Sequence, residues 1–196
     1  RLTETQKFAH VTFFFNGGYR EPLDPKKEIY HPINSDKVDS FANVPAMKAK
    51  EITDQAIQFL RSGEFDYGLI NYANADMVGH CGKIEAAIKA VEEVDRQLGR
   101  LLPVIDEVDG ILVITADHGN ADEMLVKNKQ GSWESSTKHS LNPVPFVIYD
   151  PKYKQQYQLQ AHGPGINLNL SHVAATLFML MGETPPNDIN DSLFRL

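Results

Sequence analysis

One run of apolar residues limits the folds open to this chain more than any other feature. The segment Ile111-Leu112-Val113-Ile114-Thr115 has no polar alternation, which is typical of a strand covered on both faces in a parallel sheet. Asp117-His118-Gly119 follows almost at once, so titratable side chains stand at the end of this strand. Ligands of α/β sheets collect at the carboxyl ends of strands. We therefore expect a functional site here.

The other segments alternate between strand and helix patterns. We predict further strands at 10–15, about 67–72 and about 144–149, and helices at about 45–62, 84–102 and 171–181. The helix at 84–102 has the clearest pattern, because its apolar residues recur at helical spacing along one stripe. Pro103 is expected near its end, and residues 19–45 read as a long surface connection. This order predicts an α/β fold with a mainly parallel sheet flanked by helices.

Length and composition indicate one globular domain. The chain has 196 residues, of which 42% are hydrophobic and 23% are charged, and we assign 1–196 to a single domain. It starts at Arg1 in what reads as the middle of a longer sequence, so we expect a fragment. No apolar run approaches the roughly 20 residues that span a bilayer, and no signal-peptide pattern opens the chain. These features predict no membrane partner.

Charge and cysteine content narrow the partners and the compartment. The formal net charge of −7 argues against a nucleic-acid partner, since such proteins present a basic face. It would also repel a small anionic substrate unless bound cations reverse the local field. The single cysteine, Cys81, cannot form an internal disulfide, which suits a reducing compartment. We expect the cytoplasm.

Three clusters carry the residue types of a metal site. Asp76 and His80 lie four residues apart, so a helical turn brings both side chains to one face. Asp117 and His118 bind one ion only if the chain bends, which Gly119 permits. His139 leads into the strand at 144–149. Each cluster alone also fits a structural role, but together the imidazoles and carboxylates suit zinc or manganese.

Four stretches carry a resemblance to a known family. They are residues 4–18 with FFFNGG, residues 71–80 (NYANADMVGH), residues 114–122 (ITADHGNAD) and residues 139–145 (HSLNPVP). These stretches resemble signatures of the cofactor-independent phosphoglycerate mutases, members of the alkaline phosphatase superfamily. The match runs through nearly all of the chain and looks like the C-terminal part of the phosphatase domain. The resemblance implies an alkaline-phosphatase-like fold.

The resemblance also implies a set of metal ligands. In that family two manganese ions lie side by side, and zinc or cobalt are the other candidates. By position, Asp76, His80 and His139 would hold one ion. Asp117 and His118 would hold the other, together with an Asp and a Ser from an N-terminal segment that this chain lacks.

The implied reaction is the interconversion of 3-phosphoglycerate and 2-phosphoglycerate in glycolysis, through a phosphoserine. Lys7 matches a lysine that contacts the transferring phosphoryl group. The nucleophile segment and an inserted substrate domain would be partners from the same parent protein, so the chain alone is expected to be inactive. The alternatives are another phosphatase or phosphopentomutase of the superfamily, or a metal-binding fragment without activity.

Several residues near these clusters are expected to be structural. His10 is expected to bond to backbone at the start of a strand, and His172 to support the last helix. Cys81 follows His80 without being a ligand. The roles of His162 and Asp122 stay open, since glycines around His162 permit close approach to the site and Asp122 can either support a ligand or cap a helix.

Overall fold

The computed structural model describes residues 1–160 and 168–195, so His162 lies outside the described residues. Its strands are Leu2–Glu4 (β1), His31–Ile33 (β2), Ile70–Asn71 (β3), Leu112–Thr115 (β4), Leu125–Lys127 (β5), Trp133–Ser135 (β6), Phe146–Tyr149 (β7), Gln158–Leu159 (β8) and Phe194–Arg195 (β9). Its α-helices are Ala49–Ser62 (α1), Asn74–Gly79 (α2), Ile84–Glu107 (α3) and Val173–Leu180 (α4).

A short parallel sheet forms the centre of the fold. β1 lies between β2 and β3 and is parallel to both. The helices α1 and α3 pack together against it, and their apolar faces bury Leu2, Ile52 and Leu101. The predicted α/β class with a parallel sheet flanked by helices is therefore confirmed.

The strand β4 lies outside the parallel sheet, although its sequence suggested a place in one. It pairs with β7 in an antiparallel ladder and makes a separate two-stranded sheet. Leu112 still packs against the same apolar cluster as Ile70 of β3. The residues of β4 are only half-buried, and Thr115 is exposed, so the expected cover on both faces is incomplete within this chain.

The predicted strand at 10–15 is wrong, because His10–Phe14 is a π-helical turn. The Thr12 hydroxyl donates to the carbonyl of Phe8 at 2.7 Å, as a helical side chain does. Phe14 and Phe15 are 61% and 53% exposed, so no neighbouring strand covers them. The aromatic residues favoured a strand by propensity, but the strand of this region is β1, a three-residue segment too short to give a pattern.

The observed helices largely agree with those predicted from the sequence. α1 ends at Gly63, whose φ of 66° is the left-handed conformation that glycine adopts readily. α3 continues beyond Pro103 to Glu107, farther than expected, because Leu101, Val104 and Ile105 bury one continuous face. α4 confirms the last helix. No helix among the described residues has both the length and the apolar character needed to cross a membrane.

Candidate metal centre

The turn after β3 positions Asp76 and His80, the first of the predicted clusters. α2 begins three residues beyond the end of β3, with Asp76 in its first turn and His80 directly after its last residue. The Nε2 atom of His80 lies 3.1 Å from Oδ1 of Asp76, so the spacing of four residues brings the two side chains together. The Nδ1 atom of His80 lies 2.6 Å from the carbonyl oxygen of Thr137. Because a carbonyl only accepts, Nδ1 is the donor in this contact, and the ring directs Nε2 at Asp76.

The end of β4 places the second cluster beside the first. The Nε2 atom of His118 lies 4.0 Å from Oδ1 of Asp76 and 3.5 Å from Oδ2 of Asp117. The two carboxylates differ in burial, because the side chain of Asp76 is 15% exposed and that of Asp117 is 63% exposed. The chain therefore encloses Asp76 and leaves Asp117 largely uncovered.

His139 joins the two clusters. Its Nε2 atom lies 3.1 Å from Oδ1 of Asp76 and 3.0 Å from Nε2 of His80. Its ring stacks on that of His118, with centroids 3.6 Å apart and planes inclined by 18°. All three histidines of the sequence prediction thus meet at one oxygen of Asp76.

Asp122, whose role the sequence left open, holds the segments of His118 and His139 together. Its Oδ2 atom accepts hydrogen bonds from Ser140 Oγ at 2.8 Å and from Asn142 Nδ2 at 2.6 Å. The hydrogen bonds from Asn142 and Ser140 lower the pKa of Asp122. The backbone N–H of Ser140 also donates to the carbonyl of Gly119 at 2.8 Å. Asp122 is therefore a positioning group for the two stacked rings.

Asn120 is a neighbour of Asp76 that sequence reasoning missed. Its Nδ2 atom donates to Oδ1 of Asp76 at 3.1 Å, and the residue is 5% exposed. Its Oδ1 atom is buried and makes no hydrogen bond within the described part of the chain. Only the spacing of three residues from Asp117 hinted at a shared loop. A lone asparagine carries no pattern that would have identified it.

Lys7 supplies the fixed positive charge of the site. It ends the short turn Thr5–Lys7 that follows β1, and it is 8% exposed. Its Nζ atom lies 2.5 Å from Oδ2 of Asp76. Burial raises the pKa of Asp76, but the hydrogen bond and charge of Lys7, with help from Asn120 and His80, outweigh it and hold that pKa below its ordinary value. Asp76 is therefore an ionised carboxylate at neutral pH.

His10 lies near enough to this charge cluster for its charges to act on the imidazole ring. Burial lowers its pKa, as does the charge of Lys7, while Asp117 and Asp76 oppose that change. Its ring meets Phe14 edge-on, with centroids 5.4 Å apart. His172 instead lies by its Nδ1 atom 2.8 Å from the carbonyl of Asp191, which agrees with a structural role.

The chemistry of these donors fits a divalent transition metal. Asp76, His118 and His139 each offer one ligand atom, and the three atoms lie within 4.8 Å of one another. Imidazole nitrogen and carboxylate oxygen are the ligands that zinc, manganese and cobalt accept. The Nε2 atoms of His80 and His139 lie 3.0 Å apart, so they need a proton or a cation between them, and a metal ion bound to both would provide it.

An α/β fold with a carboxylate and three imidazoles at its strand ends defines the chain as a metal-binding protein of the α/β class. A family model described as the Metalloenzyme superfamily matches residues 1–185. The chain belongs to this superfamily.

Similar proteins share one description. The 2,3-bisphosphoglycerate-independent phosphoglycerate mutase of Trypanosoma brucei brucei is 41% identical over 100% of this chain and 36% of its own length. The enzyme of the same name from Thermomicrobium roseum is 44% identical over 95% of this chain and 34% of its own. The chain thus spans about a third of the length of these curated relatives.

A solved structure has the same fold. The crystal structure of Leishmania mexicana phosphoglycerate mutase at low cobalt concentration superposes with a TM-score of 0.91 and is 37% identical. The match covers 98% of this chain and 36% of the Leishmania chain. The architecture described above is therefore that of part of a phosphoglycerate mutase structure.

A pair of glycines tests how closely α2 must approach Asn120. A Cβ atom on Gly79 would lie 2.3 Å from Asn120 Oδ1, whereas one on Gly99 in α3 would meet nothing within 4 Å. Gly99 lies inside α3, so alanine there gains about 1 kcal/mol of helix propensity, whereas Gly79 is the last residue of α2 and gains less. We expect Gly99→Ala to stabilise the chain by about that amount and Gly79→Ala to destabilise it by about 1–3 kcal/mol in urea unfolding. Stabilisation by both would mean that Asn120 yields without cost.

Proposed function

We propose that the chain is the metal-binding part of a cofactor-independent phosphoglycerate mutase. The parent protein would interconvert 3-phosphoglycerate and 2-phosphoglycerate in glycolysis through a phosphoserine. The observation that carries this proposal is the convergence of Lys7, His80 and His139 on the carboxylate of Asp76. The shared description of the relatives supports the choice of substrate.

The five proposed ligands divide between two metal ions. Asp76, His80 and His139 hold one divalent ion, and Asp117 and His118 contribute to a second. Manganese is our preferred ion, and zinc and cobalt are the alternatives. Ions bound there would supply positive charge against the phosphoryl group and lower the pKa of a coordinated hydroxyl.

The residues of the chain prepare this site in distinct ways. Thr137 accepts a hydrogen bond from Nδ1 of His80 and so directs Nε2 toward Asp76, as outer-shell partners of metal-ligating histidines do. Lys7 brings an ammonium group to the same place, where it would contact oxygens of the transferring phosphoryl group. The ammonium group of Lys7 and the Nε2 atoms of His80 and His139 already lie around Asp76. They need no rearrangement when charge develops in the reaction, which is the basis of electrostatic preorganisation.

We further propose that a segment outside this chain completes the second metal site. Among the described residues, β3 has β1 on one edge and β4 has β7 on one edge, and neither has a partner on its other edge. Both strands pack on one apolar cluster, and both lead into ligand segments. A strand of the parent protein between them would satisfy their backbone groups and deliver a Ser nucleophile and an Asp beside Asp117. A separate substrate domain would bind the phosphoglycerate.

Cellular context follows from the proposed reaction. A glycolytic enzyme acts in the cytoplasm, and one free thiol, that of Cys81, suits its reducing conditions.

Metal titration tests the ligand assignment. Manganese added to the metal-stripped chain is expected to bind at roughly one ion per chain, because three ligands suffice for a site. Binding is expected to be lost in Asp76→Ala and largely kept in Asp117→Ala. Calorimetry measures both, and thermal unfolding of each variant controls for loss of fold. Equal loss of binding in both variants would mean that the ligands are assigned to the wrong ions.

The charge of Lys7 gives a second test. Its ammonium group competes with a metal ion for Asp76, so Lys7→Met is expected to raise manganese affinity by at least about threefold. Lys50→Met is the control, because Lys50 pairs with Asp54 and its side chain is 68% exposed. That variant is expected to leave the affinity unchanged. A lower affinity in Lys7→Met alone would show that the lysine supports the ligands instead of competing with the ion.

Turnover separates the competing activities. Without the proposed nucleophile segment, the purified chain with manganese is expected to leave 3-phosphoglycerate unchanged in a phosphorus NMR assay. Release of inorganic phosphate would favour a phosphatase of the same superfamily. Formation of 2-phosphoglycerate would contradict the proposal that the nucleophile comes from outside the chain.

A further inference from the structure

Glu4 is a buried carboxylate that the proposed reaction leaves unused. It ends β1, and it is 0% exposed. An ionisable side chain buried to this extent is costly unless hydrogen bonds compensate it. Ser35 Oγ donates to its Oε2 atom at 2.7 Å, and the backbone N–H of Lys48 lies 3.4 Å from its Oε1 atom. Burial raises the pKa of Glu4, while these two hydrogen bonds lower it in part.

Ser35 also binds the two residues that follow Glu4. Its backbone N–H donates to Thr5 Oγ1 at 3.1 Å, and its hydroxyl accepts from the backbone N–H of Gln6 at 3.3 Å. One serine therefore contacts three consecutive residues, and Lys7 is the next. The residue after Ser35 is fixed as well, since Oδ1 of Asp36 lies 2.6 Å from Nζ of Lys48.

The position of Lys7 depends on this turn. Lys7 ends the helical turn that Thr5 begins, and its side chain reaches Asp76 from there. A lysine has four rotatable side-chain bonds, so the backbone must be fixed if Nζ is to stay at one carboxylate oxygen. The contacts of Ser35 restrain Thr5 and Gln6, the two residues before Lys7.

We propose that Glu4 and Ser35 form a latch that positions Lys7 at the metal centre. The two residues touch neither the proposed ions nor the phosphoryl group, so they act through Lys7. The importance of this latch for phosphoryl transfer rests on the role proposed above for Lys7. Its effect on the position of Lys7 does not, and that effect is measurable without metal or substrate.

The test is the rate at which Lys7 is modified by reductive methylation, followed by peptide mass spectrometry. Ser35→Ala removes the latch contacts of the hydroxyl and leaves Glu4 in place. We expect it to speed modification of Lys7 by roughly fivefold, as for loss of about one hydrogen bond. Glu4→Ala is expected to act at least as strongly. Glu4→Gln, which keeps an oxygen acceptor for Ser35, is expected to restore most of the protection.

Two internal controls make the result specific. Lys50, whose side chain is 68% exposed, should react at the same rate in all variants. Glu51→Gln changes another acidic neighbour of Lys48 and should leave Lys7 protected. An unchanged Lys7 rate in folded Ser35→Ala would overturn the proposal. Faster amide hydrogen exchange throughout the apolar cluster of Leu2, Ile52 and Leu101 would overturn it too, because it would indicate general loosening. Failure of the metal or turnover experiments would leave this result standing, so the two proposals fail separately.

Discussion

The site depends on one carboxylate, that of Asp76. Its Oδ1 atom lies 3.1 Å from Nε2 of His80, from Nε2 of His139 and from Nδ2 of Asn120. Its Oδ2 atom forms an ion pair with Nζ of Lys7. These partners come from four separate parts of the chain. A half-buried anion that organises cations and donors in this way is stable only because so many groups compensate it.

The contacts around Asp76 are held by backbone geometry as much as by side chains. Gly79 lets α2 approach Asn120 more closely than any larger residue permits. Gly119 does the same for Ser140 and Asp122, since a Cβ atom there would lie 2.2 Å from Ser140 Oγ. The two glycines that flank the ligands therefore serve close packing, because both positions place a side-chain oxygen where Cβ would be. Because neither glycine has a side chain, α2, the segment of Asn120 and Asp122, and the segment of Ser140 can pack closely together.

The sequence predicted the parts of this site that local spacing determines. The i,i+4 relation of Asp76 and His80 and the bend after β4 were both readable, because they depend on a few consecutive residues. The stacking of His118 on His139 was not, since it depends on the long-range contact between Asp122 and Ser140. The π-helical turn at His10–Phe14 was missed because the residues from Val11 to Phe15 all favour strands by propensity, and the sequence does not show the tertiary contacts that override it. Asn120 and Glu4 act through hydrogen bonds that no periodicity reveals.

The two halves of the site differ in how far this chain completes them. Asp76 is enclosed and fully partnered, whereas the side chain of Asp117 is 63% exposed and has only His118 nearby as an ion-pair partner among the described residues. The sheets show a related feature, because within the described part of the chain β3 and β4 each have one unpaired edge and each lead into a ligand segment. An exposed strand edge and an uncovered carboxylate are each unfavourable, and one inserted strand would relieve both. The strand that we propose from the parent protein would therefore pair the open edges of β3 and β4 and cover Asp117 at the same place.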